Sequence, residues 1–345
     1  MSRTHTREVI TLPEAGAGGR GVAVLVPCYN EEPTVARVVA RFRAELPHAR
    51  VYVFDNNSTD RTADEARRAG AEVFNERRQG KGYVVQSMFR QVDADFYVMV
   101  DGDDTYPAEA VHALLAPVAA GEADMSVGSR LHARSQSQFR RRNRLANRLV
   151  RSTLNFIFRV ELTDILSGYR AFSREFVKGL PLFGGGFEIE TELTIKAVER
   201  GYRLVEVPVD LTHRPEGSHS KIQFLRDGFL ILNTTLALFR DYKPLTFFGG
   251  VGLFLLLLAC AAGAAGLLGF GGVVPGAFVV AGAAGLFVCG LLSLTAGLIL
   301  HSIARRSQEF EYHIRVLTDE LRSGRPVDER ANGDADRFGG GAAGR

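Results

Sequence analysis

Residues 247–270 and 276–300 form two apolar stretches, each longer than twenty residues and free of Asp, Glu, Lys and Arg. Segments of this kind satisfy their backbone polar groups as helices, and each is long enough to cross a hydrocarbon core of about 30 Å. Only residues 271–275 separate them, so they are expected to form a transmembrane hairpin spanning 247–300. Arg240 and Lys243 precede it, Arg305 and Arg306 follow it, and the connection is uncharged. The positive-inside rule then predicts a multi-pass inner-membrane protein with both termini in the cytoplasm. The Gly and Ala positions of the spans permit close helix approach, which leaves room for a homo-oligomer. A net charge of +3 over 345 residues argues against a globally basic nucleic-acid binder. Cys28, Cys260 and Cys289 have neither disulfide nor zinc spacing.

Ahead of the hairpin the pattern changes. Residues 1–20 are a polar, flexible lead-in, and 21–27 read as a first buried strand followed by a helix to about Leu46. Residues 51–54 are a second strand ending at Asp55, 72–74 a third, and Gly80-Lys81-Gly82 opens the helix that leads to a fourth at 96–100. Strands alternating with helices, with polar residues collected at the strand ends, predict an α/β domain that binds its ligand along that edge.

The fourth strand ends abruptly in Asp101-Gly102-Asp103-Asp104. Carboxylates this close repel one another unless a cation sits among them, most simply a hard divalent ion with oxygen ligands. The other reading is a solvated Asp-rich turn. Further on, a strand is expected at 124–130 and a helix at 187–201. Residues 139–151 hold six arginines around Leu145 and Leu149, a face suited to lipid headgroups. The expected organisation is a catalytic domain over 21–221, halved at about residue 130, with 131–221 as the acceptor half. An amphipathic interfacial helix over 222–243 and the hairpin follow. A partly disordered tail covers 304–345 and contains a surface helix at 309–322.

Seven motifs carry a family resemblance: V-P-C-Y-N-E-E (26–32), F-D-N-N-S-T-D (54–60), G-K-G (80–82), D-G-D-D-T-Y-P (101–107), V-G-S-R (127–130), S-G-Y-R-A-F (167–172) and E-V-P-V (206–209). Together they resemble family-2 glycosyltransferases of the GT-A fold, more narrowly the polyprenyl-phosphate glycosyltransferases related to dolichyl-phosphate mannose synthase. The resemblance implies a Rossmann-like mixed or parallel sheet flanked by helices. It implies transfer of one sugar, with inversion, from a UDP- or GDP-linked donor to an undecaprenyl-, decaprenyl- or dolichyl-type phosphate at the cytoplasmic membrane face.

By this resemblance Pro27, Tyr29, Glu31 and Asp55 hold the nucleoside, Lys81 faces the donor, and Asp101 and Asp103 flank Gly102 and hold Mg²⁺ or Mn²⁺. The family's D-D-G-S is here Asp55-Asn56-Asn57-Ser58, and Thr105 stands where the mannose synthases place a Gln. Arg130, Arg142, Arg144, Arg170, Arg214 and Lys221 are the candidates for the acceptor phosphate, with Arg130 and Arg170 foremost. Glu188 and Glu190 fall where hydroxyl-glycosylating relatives keep a base; a helix start rich in acidic residues is the alternative. Two other readings stay open: transfer to a glycan or glycolipid hydroxyl, and a non-catalytic nucleotide-binding membrane scaffold. The absence of tryptophan and the two spans argue against a processive polysaccharide synthase.

Overall fold

The structure is a computed structural model that describes residues 21–130, 152, 155–158, 161–212, 224–268 and 276–323. The chain divides into two compact units at Leu238 and Phe239. In the first unit, seven strands form one sheet in the order β3-β2-β1-β4-β6-β5-β7. They are β1 (Val22–Cys28), β2 (Arg50–Asp55), β3 (Glu72–Asn75), β4 (Phe96–Met99), β5 (Met125–Ser129), β6 (Arg170–Ser173) and β7 (Leu204–Pro208). All pairings are parallel except those of β6, which runs antiparallel to both β4 and β5.

Side chains of β1 alternate between two cores, Val24 and Val26 on one face and Ala23 and Leu25 on the other. The first face is covered by α1 (Val35–Glu45), α2 (Thr62–Arg68) and α4 (Val111–Ala119). The second is covered by α3 (Lys81–Gln91), α5 (Arg174–Gly179) and α6 (Ile189–Glu199). Burial on both faces explains why the central strands read as unbroken apolar runs.

Helix α7 (Phe224–Tyr242) exposes Phe229, Leu232 and Leu236, spaced three and four residues apart along one face. The second unit holds α8 (Pro244–Leu267) and α9 (Gly276–Ser323). Both are long and apolar enough to cross a membrane: Pro244–Leu267 and Gly276–Ser307 each reach a mean hydropathy of 2.3 with only 11% of that window buried. They pack where glycine permits, since a Cβ on Gly252 would meet the Gly290 carbonyl oxygen at 2.8 Å, and Ser293 Oγ donates to the Phe248 carbonyl at 2.8 Å. The surface helix expected at 309–322 is not a separate element. It continues α9 without interruption to Ser323, because no Gly or Pro breaks the chain where the charged residues begin. Residues 1–20, the link at 271–275 and the tail beyond 323 lie outside the described residues.

Candidate active site

The strand order reverses at β1, which has β2 on one side and β4 on the other. Such a switch point opens a crevice at the carboxyl ends of the strands. Cys28 and Asp55 end β1 and β2 in register, and Asp101 follows β4. The turn after Asp101 must come close to β1: a Cβ on Gly102 would stand 2.6 Å from Cys28 Sγ. Thr34 Oγ1 donates to the Gly102 carbonyl at 2.7 Å and so ties this turn to the start of α1.

Lys81 opens α3 beneath this turn, with its ammonium 2.6 Å from Asp101 Oδ1 and 2.6 Å from Glu190 Oε1. Burial pulls the Lys81 ammonium toward the neutral form, but the two carboxylates outweigh it and hold it above an ordinary lysine. Glycines on both sides of Lys81 have a steric cause. Gly80 has φ 138, and a Cβ on Gly82 would stand 2.1 Å from the Gly184 carbonyl oxygen. The facing loop is pinned by Glu188, whose Oε1 accepts from Gly185 and Gly186 N–H, and by Glu192, which accepts from Phe183 and Gly184 N–H. Glu188 Oε2 is buried without a partner among the described residues.

Asp101 and Glu190 face one ammonium, so these two carboxylates, counted as ionised, carry one negative charge beyond what Lys81 balances, and Asp103 follows two residues after Asp101. Among the described residues no group of three or more His, Cys, Asp or Glu forms a complete metal cage. Two hard carboxylates and a charge deficit fit a Mg²⁺ or Mn²⁺ ion that takes its remaining ligands from phosphates and water. Thr105 donates from its N–H and its Oγ1 to Asp103 Oδ1, at 3.2 and 2.6 Å. Asp104 points its carboxylate to Arg37 and Arg41 on α1.

Asp55 is 5% exposed; its Oδ2 accepts from Ser58 N–H, while its buried Oδ1 has no partner among the described residues. A buried acceptor left unpartnered among the described residues calls for a donor, which water, a ligand or another part of the chain can supply. Tyr29 is exposed nearby in sequence, Pro27 pairs with Phe54 within the sheet, and Glu31 is buried, its N–H donating to Thr62 Oγ1. Sequence reasoning missed Asn56. Its side-chain amide donates to the Glu76 and Arg78 carbonyls and accepts from Gly80 N–H at 2.7 Å, which a carboxylate could not do. It therefore sets the approach to Lys81.

Arg130 directly follows β5 and takes a two-pronged grip on Asp164, Nε to Oδ2 at 2.6 Å and Nη2 to Oδ1 at 2.9 Å. Burial opposes its charge, but Tyr106 and Asp164 hold the Arg130 guanidinium well above its ordinary value. Asp164 lies in turn beneath Glu206, which accepts from Thr163 and Asp164 N–H. Gly168 crowds the other side of the site: a Cβ there would stand 2.4 Å from Asp101 Oδ2.

Arg170 corrects an expectation. Its side chain is fully buried, and it donates to the Ser167, Ile165 and Glu190 carbonyls and to Thr194 Oγ1. The structure does not bring it to the open side of the site; it joins β6 to the start of α6, where Glu190 lies. Burial pushes its pKa down to about 10, so it stays charged at neutral pH. Arg142, Arg144, Arg214 and Lys221, with the rest of the arginine-rich segment, lie outside the described residues.

Residues 23–180 match the model of glycosyl transferase family 2. The chain is 38% identical over 235 residues to glycosyltransferase AglJ of Haloferax volcanii, covering 67% of this chain and 76% of that one. It is 30% identical over 193 residues to a dolichyl-phosphate hexose transferase of the same organism, covering 56% of this chain and 83% of the other. Among solved structures, the glucosyl-3-phosphoglycerate synthase of Mycobacterium tuberculosis in complex with Mn²⁺, UDP-glucose and phosphoglyceric acid superposes with a TM-score of 0.54. That match has 25% identity over 68% of this chain and 86% of that one. By sequence and fold, this chain belongs to glycosyl transferase family 2, a glycosyltransferase with a GT-A sheet.

Proposed function

We propose that this protein transfers a single sugar, with inversion, from a nucleotide-sugar donor to the phosphate of a polyprenyl lipid. The observation that carries this reading is the Lys81–Asp101–Glu190 cluster at the sheet's switch point, in a chain that also has two membrane-length apolar helices. A relative that is a dolichyl-phosphate hexose transferase supports the lipid acceptor. A neighbour that binds UDP-glucose with Mn²⁺ supports the donor class and the divalent ion.

Asp101 and Asp103 would hold Mg²⁺ or Mn²⁺, which when bound stabilises the negative charge of the departing nucleoside diphosphate. Asp55 accepts a hydrogen bond from the nucleoside through its orphaned Oδ1. Lys81 keeps Asp101 and Glu190 in place and adds positive charge beside the diphosphate. Arg130, fixed by Asp164, holds the acceptor phosphate beside a site otherwise rich in carboxylates. A lipid monophosphate is largely a dianion at neutral pH and attacks without a general base. Attack opposite the leaving group inverts the anomeric carbon. The positive charges flanking the spans support a cytoplasmic catalytic domain and cytoplasmic termini.

The test incubates membranes containing the full-length protein with UDP- and GDP-sugars, Mg²⁺ or Mn²⁺, and undecaprenyl or decaprenyl phosphate. A lipid-linked monosaccharide from one donor, lost on chelation, is the expected result. Transfer only to hydroxyl acceptors, or to none, refutes this reading.

A further inference from the structure

Asp104 directly follows the Asp101-Gly102-Asp103 turn, and its backbone sits at φ 57, a left-handed conformation uncommon for any residue but glycine. Such strain persists only where the surroundings enforce it. Here Arg37 Nε lies 3.0 Å from Oδ2 and Arg41 Nη1 lies 3.0 Å from Oδ1, so both carboxylate oxygens are engaged by α1. The Asp104 carbonyl accepts from Thr212 Oγ1 at 3.0 Å, and Thr212 N–H donates to the Thr105 carbonyl at 2.9 Å. Helix α1 and the residue that caps it thus grip the turn twice, through Thr34 on Gly102 and through the two arginines on Asp104. Asp103 is the residue between these grips.

We propose that Asp104 is a positioning residue, whose ion pairs with Arg37 and Arg41 hold the turn so that Asp103 is set for the divalent cation of a bound nucleotide. This rests on the reading of Asp101 and Asp103 given above. The third carboxylate of the turn is then a fastener, its charge met by two arginines of α1.

Titration calorimetry on the full-length protein in detergent tests the idea, using UDP or GDP with and without Mn²⁺. Asp104→Asn tolerates the left-handed backbone and keeps the side chain's size, but loses the ion pairs. Asp104→Gly relieves the strain as well. Both are expected to weaken Mn²⁺-dependent nucleotide binding by about tenfold, the scale typical of residues that orient metal ligands, and to leave Mn²⁺-free binding unchanged. Arg37→Gln/Arg41→Gln, which leaves the turn's sequence intact, reproduces the loss, and adding Asp104→Asn to it costs nothing further. Arg37→Lys/Arg41→Lys keeps the charges and restores most of the affinity. Wild-type affinity in Asp104→Asn or in the double Gln variant, or tighter binding by Asp104→Gly, overturns the proposal while leaving the cation reading intact. Wild-type protein that binds nucleotide equally well with and without Mn²⁺ overturns both.

Discussion

Lys81 and Glu190 meet at 2.6 Å, joining the first residue of α3 to the first turn of α6, while the same ammonium lies against Asp101. Removing that ammonium leaves two carboxylates facing each other in a poorly hydrated site. Lys81→Met is expected to lower stability by about 3–5 kcal/mol, the range for breaking a buried ion pair from one side. Transfer should fall with it. Denaturant unfolding of the purified protein, paired with a transfer assay, gives both values; a fully stable Lys81→Met protein contradicts the assignment.

Gly168 offers a subtler probe, because its missing Cβ is what makes room for the Asp101 carboxylate. Gly168→Ala should push that carboxylate aside and leave the cores untouched. A displacement on this scale lowers kcat by about a hundredfold. The melting temperature should stay within a few degrees of wild type, and unchanged kcat would show that Asp101 tolerates displacement.

Arg170→Lys separates a structural arginine from a phosphate-binding one. Lysine keeps the charge but cannot reach the three carbonyls and the hydroxyl that the guanidinium serves. The expected result is a loss of about 1–3 kcal/mol in stability from unsatisfied buried acceptors. KM for the lipid phosphate should not change in the folded fraction. A raised KM at unchanged stability would return Arg170 to the acceptor site.

The Arg78 guanidinium beside Glu76 is the main reason that this carboxyl titrates at about 2 instead of 4.5. The folded value lies below the unfolded one, so the contribution to stability is fully present above about pH 4.5 and disappears as the pH falls toward about 2. Glu76→Gln should therefore be less stable than wild type at pH 7, and the gap should close on acidification through that window. Parallel stability curves for the two proteins across it would contradict the pairing.

Much of the fold was legible because its signals are local. Val22–Cys28 and Phe96–Met99 are apolar runs that end in polar residues, and Gly80 and Gly82 frame Lys81. The direction of β6 was not legible, since Arg-Ala-Phe-Ser pairs equally well either way and only the route of the preceding chain decides. Arg170 reads, by the resemblance, as a ligand of the acceptor phosphate; arginine is seldom fully buried, and nothing local reveals the acceptors around it. Asn56 looked like a lost carboxylate; its partners arrive from a loop about twenty residues later, beyond the reach of any short motif. Asp164, which fixes Arg130, comes from still farther along the chain.

The single reversed strand has a consequence for how the crevice is supplied with side chains. Because β6 runs against β4, Arg170 pairs with Met99, and the edge where β4 ends is the edge where β6 begins. The described residues that lead into β6, 161–169, are therefore delivered to the edge where Asp101 lies, as Gly168 beside its carboxylate shows. These residues, which carry Asp164 against Arg130 and Gly168 against Asp101, enter the crevice from a direction opposite to that of every other strand connection at this edge.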